Sequence, residues 1–148
     1  EATEAAEALG AAQRAAGDHA GAAETYAVLL RAQQEEFGPK DPETLATANR
    51  VATALRASGN YGEAAAMYSQ TLTIRRQVLG PDHPETLVSE NNLALALRSQ
   101  GNHAAATRMF SVTLARRRRV LGDRHPVTLR SAHDLAISLL SQGKPGEA

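Results

Sequence analysis

The chain has 148 residues, enough for one domain, and its 16 Lys and Arg balance its 16 Asp and Glu, so total charge names neither a nucleic-acid nor a membrane partner. It has no Cys, which excludes disulfides, thiolate metal sites and Cys nucleophiles. No apolar run approaches the roughly 18 residues of a membrane helix, and no signal-peptide pattern opens the chain; a cytoplasmic location is expected.

In chain order, the first predicted helix starts at the chain's first residue. That residue is Glu1, not Met, so a fragment of a longer array is expected. Residues 1–43 carry 9 acids and 3 bases, net −6, residues 44–84 carry 2 and 4, net +2, and residues 85–148 carry 5 and 9, net +4. The gradient predicts an elongated molecule with one acidic and one basic end.

Self-similarity organises the rest. Gly17, Gly59, Gly101 and Gly143 stand 42 residues apart, as do Gly38, Gly80 and Gly122. Ala22, Ala64, Ala106 and Ala148 keep that register. So do Leu9, Val51, Leu93 and Leu135, then Tyr26, Tyr68 and Phe110, then Leu30, Leu72 and Leu114. The reading is one repeat domain over 1–148, with units 1–42, 43–84 and 85–126 and a partial unit 127–148.

Each unit reads as two helices. In the second, Asp41-Pro42 opens a helix, since Asp is a good N-cap and Pro suits the first helical position. Glu43 favours the positive end of the dipole, and Leu45, Ala48, Val51, Ala52 and Leu55 follow at helical spacing. Gly59-Asn60, both tolerant of left-handed backbone, breaks that helix. Another runs from about Tyr61 to Leu79, with Ala64, Tyr68, Leu72 and Val78 on one stripe, and Gly80-Pro81 ends it. In the later units His83 and His125 replace Asp41 as weaker caps, with Asp82 or Asp123 expected to help. Ala52 and Ala94 mark the closest approach of first to second helix, faced by Ala64 and Ala106.

Small-residue helix pairs with this glycine and aromatic placement resemble tetratricopeptide repeats, although the 42-residue period exceeds the usual 34 or so. TLTIRRQVLGPDHPETL (71–87) followed by NNLALAL (91–97) is similar to the kinesin-light-chain type. The likeness spans the whole chain, with one departure: Ala48, Glu90 and Ala132 occupy the usual first-helix aromatic position. The Ala- and Arg-rich style resembles bacterial versions, which often sit beside signalling ATPase or regulator domains. The resemblance implies an all-α, right-handed superhelical solenoid of antiparallel helix pairs, about seven helices, with a groove lined by the first helix of each pair.

That groove usually takes proteins or peptides. Its rows read Glu7, Asn49, Asn91, His133; then Ala8, Arg50, Asn92, Asp134; and one turn on Arg14, Arg56, Arg98, Leu140. Arginines can pair with carboxylates and asparagines with a peptide backbone. In kinesin light chains a groove with similar asparagines takes short acidic peptides, which implies Asn49, Asn91, Arg56 and Arg98 as ligand contacts. Arg50, Asn92 and His133 complete the candidate set. Ala46 and Val88 stand where a carboxylate clamp needs Lys, which disfavours a C-terminal carboxylate ligand. Against all of this, Arg and Asn on an exposed face commonly serve solubility alone.

Other signals weigh less. Arg116–Arg119 ends a second helix, and its four residues point in four directions, so a solvated helix end outweighs a phosphate site. Base-stacking aromatics are also missing. The histidines follow repeat register rather than a metal-ligand spacing, and no catalytic fingerprint is present. A non-enzymatic protein- or peptide-binding scaffold without cofactors is expected. The alternative is a regulatory or self-assembly segment of a larger signalling protein, associating through repeat ends where Leu135 and Leu139 lack a partner helix. Nucleic-acid binding through the basic C-terminal third ranks last.

Overall fold

The computed structural model describes residues 2–143. Among them lie seven α-helices and no strand: α1 (Ala2–Ala15), α2 (His19–Phe37), α3 (Pro42–Ala57), α4 (Tyr61–Leu79), α5 (Pro84–Ser99), α6 (His103–Leu121) and α7 (Pro126–Ser141). The chain forms two compact units, Glu1–Ile74 and Arg75–Ala148. Ala148, the last member of the alanine register, lies outside the described residues.

The turns follow the local chemistry. Gly17, Gly38, Gly59, Gly80, Gly101, Gly122 and Gly143 all have positive φ, and no other described residue does. A Cβ at any of them would meet nothing within 4 Å, so the left-handed backbone, not crowding, demands glycine. Asn60 therefore leaves the left-handed turn to Gly59 alone. Asp41 Oδ2 accepts from the amides of Glu43 (3.0 Å) and Thr44 (3.3 Å). His83 Nδ1 accepts from Glu85 N and His125 Nδ1 from Val127 N, each at 3.1 Å, so the histidines cap with one bond where Asp41 makes two. Asp82 and Asp123 do not assist; they turn to arginines, Asp82 to Arg119 at 2.7 Å and Asp123 to Arg118 at 3.8 Å.

In the first unit, Ala22, Tyr26, Leu30, Ala48, Val51 and Ala54 form one buried cluster joining α2 and α3. The first-helix position held by Ala52 and Ala94 is Gly10 in α1, where a Cβ would come within 2.6 Å of the Tyr26 ring. Tyr68 is fully buried and shares a 2.6 Å hydrogen bond with Thr53 Oγ1 across α3 and α4. In the second unit, Ala94, Ala106 and Phe110 make the equivalent nucleus of α5 and α6, with Leu97, Met109 and Leu135 against it. The small alanines are fully buried, as close helix contact requires.

Two expectations about the stripes change. Val78 is exposed, whereas Arg75, one helical turn beyond Leu72, is buried. Leu9 is exposed although Val51 and Leu93 in its register are buried.

Candidate functional site

The candidate residues lie on α3, α5 and α7, the first helices of their pairs. In the first unit, Arg50 Nη1 donates to Glu7 Oε1 at 3.1 Å, linking α3 to α1. Both side chains are about two-fifths exposed, so the pair is a weak surface contact. Asn49 and Arg56 are half-buried on the same helix, and the Arg56 Nε is enclosed without a hydrogen-bond partner among the described residues.

In the second unit, Asn91 is buried, and its Nδ2 approaches Asp134 Oδ2 at 3.5 Å while its Oδ1 has no partner among the described residues. Arg98 Nη1 reaches the Asp134 carbonyl at 3.5 Å, and its guanidinium lies 5.4 Å from the Phe110 ring centroid. The ring's negative face therefore holds the cation in place. Asn92 is half-buried and His133 exposed.

The two units repeat one geometry. Glu7 to Arg50 and Asn91 to Asp134 are each 43 residues apart and join adjacent first helices. The structure thus brings Asn91 and Arg98 together around Asp134, a residue in the expected rows but outside the candidate set. Arg130 extends the row of Ala46 and Val88 and is exposed, supplying one base where the clamp pattern lacks two. Val88 itself borders an apolar cleft of about 290 Å³ lined by Leu87, Val120, Leu121 and Val127. A cleft of that kind suits an aliphatic side chain, although Arg117 and His125 also line it.

The largest departure is Glu90. Its position reads as a thinned core, yet the carboxylate is 1% exposed and fully engaged. Arg76 donates to Oε2 at 2.7 Å, Arg116 to Oε2 at 2.8 Å and Thr113 to Oε1 at 2.6 Å. These donors come from the second helices, away from the asparagine rows, so Glu90 ties α5 to α4 and α6. The arginine run divides accordingly. Arg116 joins Glu90, Arg117 is buried and donates to Ser131 Oγ at 2.7 Å, and Arg118 and Arg119 stay exposed. A solvated helix end therefore describes only half of it. The missed signal was Glu90 itself, an acid at an apolar position with two arginines at reachable repeat positions.

No helix of the described residues is long and apolar enough to cross a membrane, and no group of three or more His, Asp or Glu among them could hold a metal ion.

A family model described as tetratricopeptide repeat matches residues 1–77 and again 44–118. Among solved structures, the chain is similar to the TPR-like repeats assigned to a kinesin light chain of Podosopora anserina. The TM-score is 0.89 at 25% identity, over 99% of this chain and 71% of that one. BtubC (BKLC) of P. vanneervenii shares the fold at a TM-score of 0.86 and 20% identity, over 99% of this chain and 58% of its own. No curated protein sequence matches significantly.

Proposed function

Because the chain belongs to the tetratricopeptide-repeat family, whose members generally serve as protein-interaction scaffolds, we propose that it is a non-enzymatic scaffold binding an extended acidic peptide along its first helices. The observation that carries this reading is the repeated 43-residue pairing, Glu7 with Arg50 and Asn91 with Asp134, which aligns polar side chains of neighbouring first helices on one face in each unit. On those faces Asn49 in the first unit, and Asn91 and Asn92 in the second, supply groups that both donate and accept, suited to a peptide backbone. Arg56 and Arg98 supply the carboxylate partners. Val88 and its cleft favour an aliphatic residue beside the ligand's acids.

The test is calorimetric titration of the chain with extended acidic peptides, each with a neutral amide counterpart. Arg56→Ala with Arg98→Ala is expected to weaken binding about tenfold or more, the loss of two charge-assisted hydrogen bonds. Arg98→Lys keeps the charge and separates ion pairing from the stacking on Phe110. Unchanged binding in the double variant would remove the arginine row from the proposal.

A second reading, self-assembly through α7, draws on Leu129. It is 56% exposed, whereas Leu45 and Leu87 at the same repeat position are buried. Leu129→Glu should then abolish any concentration-dependent rise in mass while leaving peptide binding intact.

A further inference from the structure

The exposed stripes of α2 and α6 carry matching residues with opposite charge. Along α6, Arg108, Val112, Ala115 and Arg119 fall at intervals of four, three and four residues and are all exposed, so they form one stripe. Eighty-four residues earlier, two repeats of 42, the same positions on α2 hold Glu24, Val28, Arg31 and Glu35, again all exposed. Each arginine of α6 has a glutamate as its counterpart, and the valine between them is kept. Val28 is 65% exposed and Val112 45%. On α4 the same positions are Ala66, Gln70, Thr73 and Gln77, with no charge.

The charged ends of these stripes are open. Glu24, Glu35 and Arg108 have no ion pair or hydrogen bond from their side chains among the described residues. Arg119 donates to Asp82 through Nη2 alone and is exposed, so its other N–H groups can reach outward. The surrounding charge agrees: residues 1–74 hold 10 acids and 5 bases, net −5, while residues 75–148 hold 6 acids and 11 bases, net +5.

We propose that the α2 stripe of one copy of this chain docks on the α6 stripe of another. In parallel register Glu24 meets Arg108, Val28 meets Val112 and Glu35 meets Arg119. Arg31, the one base on the acidic stripe, meets Ala115 and so no like charge. The two patches differ, so the contact is heterologous and adds copies head to tail. It lies on second helices, apart from the asparagine rows and from Leu129, and is independent of the peptide-binding reading. Exposed ion pairs around one valine contact make a weak, salt-sensitive interface.

The experiment is sedimentation velocity and light scattering of the full chain against concentration, at ionic strengths where the screening length is about 30 Å and about 3 Å. Mass should rise with concentration at low salt and stay at the monomer at high salt. Arg108→Glu with Arg119→Glu makes both stripes acidic, and Glu24→Arg with Glu35→Arg makes both basic. Each variant alone should associate at least about tenfold more weakly than the parent, and an equal mixture of the two should associate again. Circular dichroism confirms that both fold. A parent that stays monomeric at low salt overturns the proposal. So does association that persists in either variant alone, that vanishes only with Leu129→Glu, or that the mixture fails to restore.

Discussion

Near the C-terminal end of α2, Gln33 is 2% exposed, and neither its Oε1 nor its Nε2 finds a partner among the described residues; nor do the buried hydroxyls of Thr44 and Thr47 on α3. One repeat later, Arg75 fills that position, donating to Ser89 Oγ at 2.8 Å and to the Glu85 carbonyl at 3.3 Å. Thr86 Oγ1 donates back to the Arg75 carbonyl at 3.3 Å. At the next turn Arg117 donates to Ser131 Oγ, and Thr128 to the Arg117 carbonyl at 3.4 Å. The same fold position thus makes no side-chain bond in one unit and is bonded at both turns of the other, although the Arg75 Nε is left without a partner among the described residues. The two side chains differ in reach and in donors: a guanidinium carries five N–H groups on a long stem, whereas the shorter glutamine amide carries two.

The charged version has its own cost. Burial pushes the guanidinium pKa down at both arginines, opposed at Arg75 by Glu85 and at Arg117 by Asp134 and, more weakly, Glu90; nearby Arg130 adds to the lowering at Arg117. Arginine nevertheless stays protonated, so serine and carbonyl acceptors, rather than proton loss, offset the buried charge.

The strongest way to break the contrast is Glu90→Ala, which gives α5 the residue that Ala48 supplies in α3 and Ala132 in α7. It strips three donors of their acceptor, and a loss of about 2–3 kcal/mol is expected in urea unfolding, since Arg76 and Arg116 can still reach water. A loss near zero would mean that the cluster adds nothing to stability. Next comes the paired test at the turns. Arg117→Leu should destabilise by about 1–2 kcal/mol by orphaning Ser131, while Gln33→Leu should leave the melting temperature unchanged or raise it. Equal losses would erase the distinction between satisfied and unsatisfied turns. The smallest effect belongs to the caps: His83→Asp should restore a two-bond cap like that of Asp41 and stabilise by about 0.5 kcal/mol, read as a shift in the thermal midpoint.

The helix ends are legible in the sequence. The α4 bounds, Tyr61–Leu79, coincide with those expected, because Gly59 and Gly80 impose positive φ through their own chemistry. The candidate rows were legible only as positions. That Arg50 meets Glu7, and that Arg98 lies over Phe110, depends on which helices are neighbours and how far a side chain extends. Val78 misled because an apolar residue near a helix end reads as core, whereas the turn places Arg75 inward instead.

By itself the sequence determined the 42-residue period, the helix ends and the small-residue contacts, since glycine conformation, capping and side-chain volume act within a few residues. Only the tertiary structure decided which polar groups are buried and with whom. Glu90 finds Arg76, Thr113 and Arg116 at separations of 14, 23 and 26 residues, where packed helices, rather than local chemistry, bring opposite charges within bonding distance.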